Sequence, residues 1–309
     1  MLSRRIIRVK VMQALFIWQT TPGLNHSDII DFYDSSIRST YDLFAYQLYL
    51  LSQITRHALE DAERRQTKLL PTEFDKHFTA KLFENPITQA LIKDKELINM
   101  WEKAHVSDKV PEDFTKKLYK TFALSDAYTH YVNTDGGIES HIEILLTLYK
   151  ELINQEFYND ITEDYFYNWL DDESIIVGTI KKVLKALPET NILANYGPIS
   201  ETIEEFGKTL LVYILENEKQ MEDFIRPLLE NWELDRVALV DRILIKMSVS
   251  EMIIFPTIPT KVSINEYVEL AKAYSTDKSK EFVNGILDKS LKTLAEENKV
   301  NKVGRGLIE

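Results

Sequence analysis

The sequence contains no cysteine, which removes disulfides, thiolate zinc sites and cysteine nucleophiles together and fits a reducing cytoplasm. Glycine and proline are scarce, nine of each in 309 residues, a composition that favours long helices over hairpins and Gly-rich loops. No apolar run is long enough to cross a bilayer; TLLVYIL at 209–215 is among the longest. The start is basic and apolar, but Arg8 and Lys10 interrupt it, so it lacks the apolar run of a signal peptide. There is no GxxxxGK[ST] phosphate loop and no GxGxxG. Histidines at 26, 57, 77, 105, 130 and 141 show neither HExxH nor paired ligand spacing, and read as surface or packing residues. Asp171-Asp172-Glu173 resembles part of a magnesium-binding DDxxD run. Ile175 occupies the place of the next aspartate, so the three carboxylates read as a solvated helix start. Neither a metal nor a cofactor is expected.

Acidic residues are missing from one place. The chain carries a formal net charge of −12, yet no Asp or Glu precedes Asp28. Residues 2–20, LSRRIIRVKVMQALFIWQT, have helical periodicity and stop at Thr-Thr-Pro-Gly. On a helical wheel Ile7, Val11, Ala14, Leu15 and Trp18 share the core side. Arg5, Arg8, Met12 and Phe16 share the next arc, with Arg4 at its border. Arginines near a helix start oppose its dipole, so helix stability does not explain them. Two readings stand side by side. In one the arginines are a solvated edge and Phe16 is buried; in the other, guanidiniums meet phosphates and the ring stacks on a base.

Helical spacing dominates the remainder, without repeats and without convincing strand alternation, so the fold class is all-α. A long helical stretch starts near Ser27-Asp28 and runs toward Pro71, with breaks that the sequence does not place. Pro86, Pro111, Pro188 and Pro198 punctuate shorter helices, and NTDGG at 133–137 is a turn. Further helices are expected over about 200–231, 233–255, 263–274 and 277–298, with Ser263 and Glu266 spaced as a capping box. The last residues, ending GRGLIE, read as a flexible tail over 299–309.

Residues 258–289, IPTKVSINEYVELAKAYSTDKSKEFVNGILDK, carry a long ordered pattern. It comprises Pro259, Lys261-Val262, Asn265-Glu266, Glu269-Leu270-Ala271-Lys272, Phe282-Val283-Asn284-Gly285 and Ile286-Leu287-Asp288. This closely resembles the C-terminal signature of the NusB family of bacterial transcription antitermination factors. The similarity runs back through LDRVALVDRILIKMSVSEM (234–252) and more weakly through 206–231. The first helix also matches, with Arg-Arg followed by Gln-Ala-Leu, an aromatic and Trp-Gln.

The resemblance implies a two-lobed NusB-like helical bundle with an enlarged middle. Residues 1–23 would be its N-terminal helix, 24–199 a helical insert or enlarged N-terminal lobe, and 200–298 the C-terminal lobe. The insert is either extra helices on the N-terminal bundle or a small domain of its own. Binding of boxA-type single-stranded RNA together with the ribosomal protein NusE is implied, within the RNA polymerase antitermination complex on ribosomal RNA operons, in the cytoplasm and without catalysis. By motif, Arg4, Arg5 and Arg8 would meet phosphates and Gln13 and Phe16 would lie beside bases, with Tyr274, Lys278 and Phe282 flanking the STDKS loop. Lys278 stands where some relatives carry an acid, and Ile6 shortens the usual arginine triplet to a pair. Asp241, Arg242 and Glu251 would border NusE, and Gly285 would permit close helix packing. A homodimer hiding the RNA surface is the alternative state, and a NusB-fold interaction scaffold whose insert binds another partner is the alternative function. RNA cytosine methyltransferases with a NusB-like domain need a cysteine nucleophile, which this chain lacks.

Overall fold

The structure is a computed structural model that describes residues 1–229 and 236–307. It is all-α, with no strand among the described residues. The helices used below are, in chain order, α1 (Arg4–Thr20), α2 (His26–Gln66), α3 (Glu112–Phe122), α4 (Gly137–Ile153), α5 (Glu156–Tyr165), α6 (Trp169–Ala186), α7 (Thr209–Glu216), α8 (Leu239–Ile254), α9 (Thr260–Tyr274) and α10 (Ser279–Glu296). Shorter helical pieces fill the intervals. The chain divides into two compact units, one of Met1 with Arg38–Pro198 and the other of Leu2–Ile37 with Ile199–Glu309.

The first unit is organised on the later part of α2, which continues without a break to Gln66. Leu43, Phe44, Ala45, Tyr46, Leu48 and Leu50 are all buried, and residues at such spacings cannot share one face. This stretch is therefore a central helix covered on all sides, and the core it anchors takes in Trp101, Phe122, Leu148, Trp169 and Ile180. The buried Trp101 indole N–H is paired, donating to the Ala45 carbonyl at 2.9 Å. Pro86 starts a helix, where Asn85 caps the N–H groups of Ile87 and Thr88, whereas Pro188 follows the end of α6. The turn at 133–137 is present, with Gly137 at φ +64° opening α4. Asp172 departs from the solvated helix start expected of it. Its side chain is buried and accepts from Thr40 Oγ1 at 2.5 Å and from Asn168, so it is a structural carboxylate.

In the second unit α8 packs against α1, α7, α9 and α10. A π-helical turn, Glu201–Lys208, leads into α7 and lies along α1. Gly207 sits where an added Cβ would lie 2.0 Å from the Tyr33 hydroxyl and 2.4 Å from Ile7 Cγ2. Tyr33 is itself fixed by donating to the Ile203 carbonyl at 2.8 Å. Only a residue without a side chain admits this approach. The predicted core face of α1 is buried at Ile7, Val11, Ala14 and Leu15, while Trp18 is half-buried. Residues 233–235 of the helix expected at 233–255 lie outside the described residues; the helix itself starts at Leu239, after Ala238 as its N-cap.

The last segment is not the frayed tail its composition suggests. Lys302 Nζ donates to the carbonyls of Met252 and Phe255, both at 2.9 Å, covering acceptors that the end of α8 leaves open. The Val303 amide donates to the Pro256 carbonyl at 3.0 Å. Residues 308 and 309 lie outside the described residues.

Candidate nucleic-acid interface

The basic strip on α1 is narrower than its wheel predicts, because the buried face also takes in Arg8, Val9, Lys10 and Met12. Arg8 is the main departure from expectation. It is 3% exposed, its Nε and Nη2 donate to the two carboxylate oxygens of Glu251 at 2.8 and 2.7 Å, and Nη1 donates to Glu266 at 3.3 Å. Its guanidinium also lies 5.1 Å from the centroid of Phe206 and 5.6 Å from that of Tyr267. Burial opposes the Arg8 charge, but the Glu251 hydrogen bonds and charge outweigh it and hold the group ionised. A guanidinium so enclosed is a packing element, not a phosphate contact in this conformation.

Glu251 completes the same network. It accepts from Ser263 Oγ at 2.8 Å and from the Tyr267 hydroxyl at 2.7 Å, so four donors meet one fully buried carboxylate. Burial first, and then the Glu251 charge, push the Tyr267 hydroxyl well above the usual tyrosine range. Two expectations are corrected here. Ser263 and Glu266 do not cap α9, whose first residue is Thr260; three-residue spacing also puts both on one helical face, and that face meets Glu251 and Arg8. Glu251 has no surface to offer a protein partner. Asp241 has none either: it is buried and accepts from Ser279 Oγ at 2.7 Å. Arg242 is half-buried.

The exposed cations form a site that only the fold assembles. Arg4, Arg5, Lys261 and Arg305 line a concavity of about 660 Å³, together with Thr257, Pro259 and Val262. Arg4 is partly engaged, donating to exposed Glu201 at 3.1 Å, and such a surface pair is weak. Of the acids, Glu266 faces the concavity and is taken up by Arg8. Lys261 and Arg305 were missed as site residues. Lys261 sits inside the C-terminal signature, and only the pinning of Lys302 and Val303 brings Arg305 to the first helix.

The aromatic candidates lie further along. Arg5 shares the concavity with Val262, and Arg8 meets Glu266, so the starts of α1 and α9 face one another. Phe16 and Tyr274 each lie eight residues, about 12 Å of helix, beyond Arg8 and Glu266 on their own helices. Phe16 is 41% exposed and Tyr274 is 38% exposed. Gln13 is half-buried, Lys278 is exposed at the start of α10, and Phe282 is half-buried above buried Ile286. Gly285 does not serve close packing: an added Cβ would meet nothing within 4 Å.

Fold and site together define an all-helical protein with a local cationic concavity on an otherwise acidic chain. Residues 162–292 match the NusB family. The match begins upstream of 206, where the C-terminal pattern fades to the eye, and does not include α1. The chain is similar to the transcription antitermination protein NusB of Chloroherpeton thalassium, 35% identical over 130 residues, which are 42% of this chain and 59% of that one. It is similar to NusB of Salinibacter ruber, 38% identical over 113 residues, covering 36% of this chain and 71% of that one. Against NusB of Bacillus licheniformis it is 45% identical over 84 residues, 27% of this chain and 65% of that one. The chain thus spans less than two thirds of the Chloroherpeton and Bacillus relatives. No solved structure matches. The chain belongs to the NusB family.

Proposed function

We propose that the protein acts in transcription antitermination by binding boxA-type single-stranded RNA together with NusE, in the cytoplasm, on transcripts of ribosomal RNA operons. The observation that carries this reading is the meeting of four cations from three separate chain segments in one concavity of an acidic member of the NusB family. Arg4, Arg5, Lys261 and Arg305 supply phosphate contacts, which position and hold the strand. Phe16 and Tyr274 offer faces on which unstacked bases rest, with Gln13, Lys278 and Phe282 beside them. The role is binding within an RNA polymerase complex, not catalysis. Arg8 shapes the surface from beneath.

The test is a fluorescence-anisotropy titration of a boxA-containing RNA against a scrambled RNA, with and without purified NusE, at two salt concentrations. Selective binding that NusE tightens supports the reading. Equal, weak binding to both RNAs, indifferent to NusE, overturns it.

A further inference from the structure

We infer that α5 and the turn after it, in the first unit, form a docking surface for an arginine-rich segment of a partner protein. Between Glu151 and Ile180 the chain contains no lysine or arginine. Glu156, Asp160 and Glu163 follow one another on the exposed side of α5, with Asp164 beside them. None of these four carboxylates makes an ion pair or hydrogen bond among the described residues. Their placement works against the helix that carries them. Asp160 faces Glu156 and Asp164 at four-residue spacing and Glu163 at three, all like-charge neighbours, and Glu163 and Asp164 lie at the helix end where carboxylates oppose the dipole. Local stability therefore does not account for them.

Beside the acids the surface is apolar. Tyr167 is 65% exposed, Leu170 72%, Phe157 53% and Tyr165 48%, whereas Phe166 and Trp169 between them are buried. At its start, α5 opens onto a groove of about 320 Å³, lined at its polar side by Asp113 and Lys117, in which Phe157 packs on Phe114 with ring centroids 5.2 Å apart. Aromatic faces among unpaired carboxylates suit the guanidinium group, which stacks on rings and pairs with carboxylates at once. A groove of this size at the edge accepts one apolar side chain of the same segment. The negative face repels RNA, so this surface is distinct in chemistry from the cationic concavity and does not rest on the RNA-binding proposal.

The probe is a fluorescein-labelled ten-residue peptide of arginine and glycine with one central leucine, titrated by anisotropy into the full chain at two salt concentrations. Binding is expected to weaken at least tenfold in Asp160→Lys/Glu163→Lys and several-fold in the charge-neutral variant Tyr167→Ala/Leu170→Ala. Glu96→Lys/Glu102→Lys, which alters exposed acids elsewhere in the same unit, is expected to change it less than twofold. Circular dichroism confirms that each variant is folded. The inference is overturned if the Glu96/Glu102 variant loses as much as the α5 variant, or if Tyr167→Ala/Leu170→Ala binds unchanged. It is also overturned if sedimentation velocity shows that Leu170 instead mediates self-association. RNA titrations of the same variants are expected to match the wild type, which separates failure here from failure of the RNA reading.

Discussion

Arg8 and Glu251 stand 243 positions apart in sequence and meet in a buried two-point ion pair, with bonds of 2.8 and 2.7 Å. Removing one partner strands the other without water, the costly case for buried charge. Glu251→Gln is therefore expected to destabilise the second unit by about 3–5 kcal/mol. Faster amide exchange in α1 and α8, with α4 and α6 unchanged, is the readout, because a chain of two units need not unfold in one step. Unaltered exchange in α8 would contradict the pairing.

Gly207→Ala forces a Cβ into the Tyr33 hydroxyl. Overpacking of this kind costs about 1–3 kcal/mol. The expected result is a lower urea midpoint for the second unit. Tyr33→Phe/Gly207→Ala should recover part of it, since the clashing oxygen is gone, although the bond to Ile203 is lost with it.

Gly285→Ala is expected to do the opposite. The site is helical, exposed and open, so the added methyl raises stability by about 0.5–1 kcal/mol. If the same change weakens RNA or NusE binding, a ligand backbone approaches α10 at this point; equal binding with greater stability leaves the glycine without a ligand role.

In RNA titrations, Arg5→Ala and Arg305→Ala are each expected to weaken binding alike for boxA and scrambled RNA and to lower the salt slope by about 0.7–1 unit. Phe16→Ala should cost roughly 1–3 kcal/mol where a base stacks on the ring. An unchanged slope for Arg305→Ala would remove the C-terminal segment from the interface.

Acidification bears on the first unit through His57 and His141. Burial lowers the pKa of both below the usual histidine range; around His57, Glu60 works the other way, and around His141, Lys81 adds to the lowering. His57 Nε2 lies 2.9 Å from Thr115 Oγ1, which itself donates to the Glu112 carbonyl, so the ring nitrogen carries the proton of that bond. The unfolded chain, with histidines near pH 6.5, takes up protons that the folded unit refuses. Stability is therefore fully present above about pH 6.5 and falls as the pH drops toward the folded values. Urea midpoints of the first unit measured between about pH 5.5 and 8, above the ordinary carboxylate range, should rise with pH and then level off. A fall with rising pH would reverse the assignment.

The helical class and the core side of α1 were legible because they depend on periodicity within one segment; the second stretch was legible as helical but not as the single unbroken helix it is. The interface was legible in part. Arg4, Arg5 and Phe16 declare themselves as a basic edge with a ring, but nothing local separates Arg8 from them. Its burial depends on Glu251, Phe206 and Tyr267, which come from three other elements. Ser263 and Glu266 misled for a related reason: one spacing serves both a helix cap and a shared helical face. Arg305 was hidden because its position follows from Lys302 reaching the end of α8.

The second unit draws on both ends of the chain, residues 2–37 and 199–309. During synthesis the first helix leaves the ribosome long before Glu251 exists to pair with Arg8. At about 5–20 residues per second, 243 residues take on the order of 10–50 s. Throughout that interval α1 is a cationic amphipathic helix without its buried partner, and the first unit, which ends at Pro198, becomes complete only near the end of it. The Arg8–Glu251 pair is thus a late event of synthesis, its timing set by topology and not by local sequence.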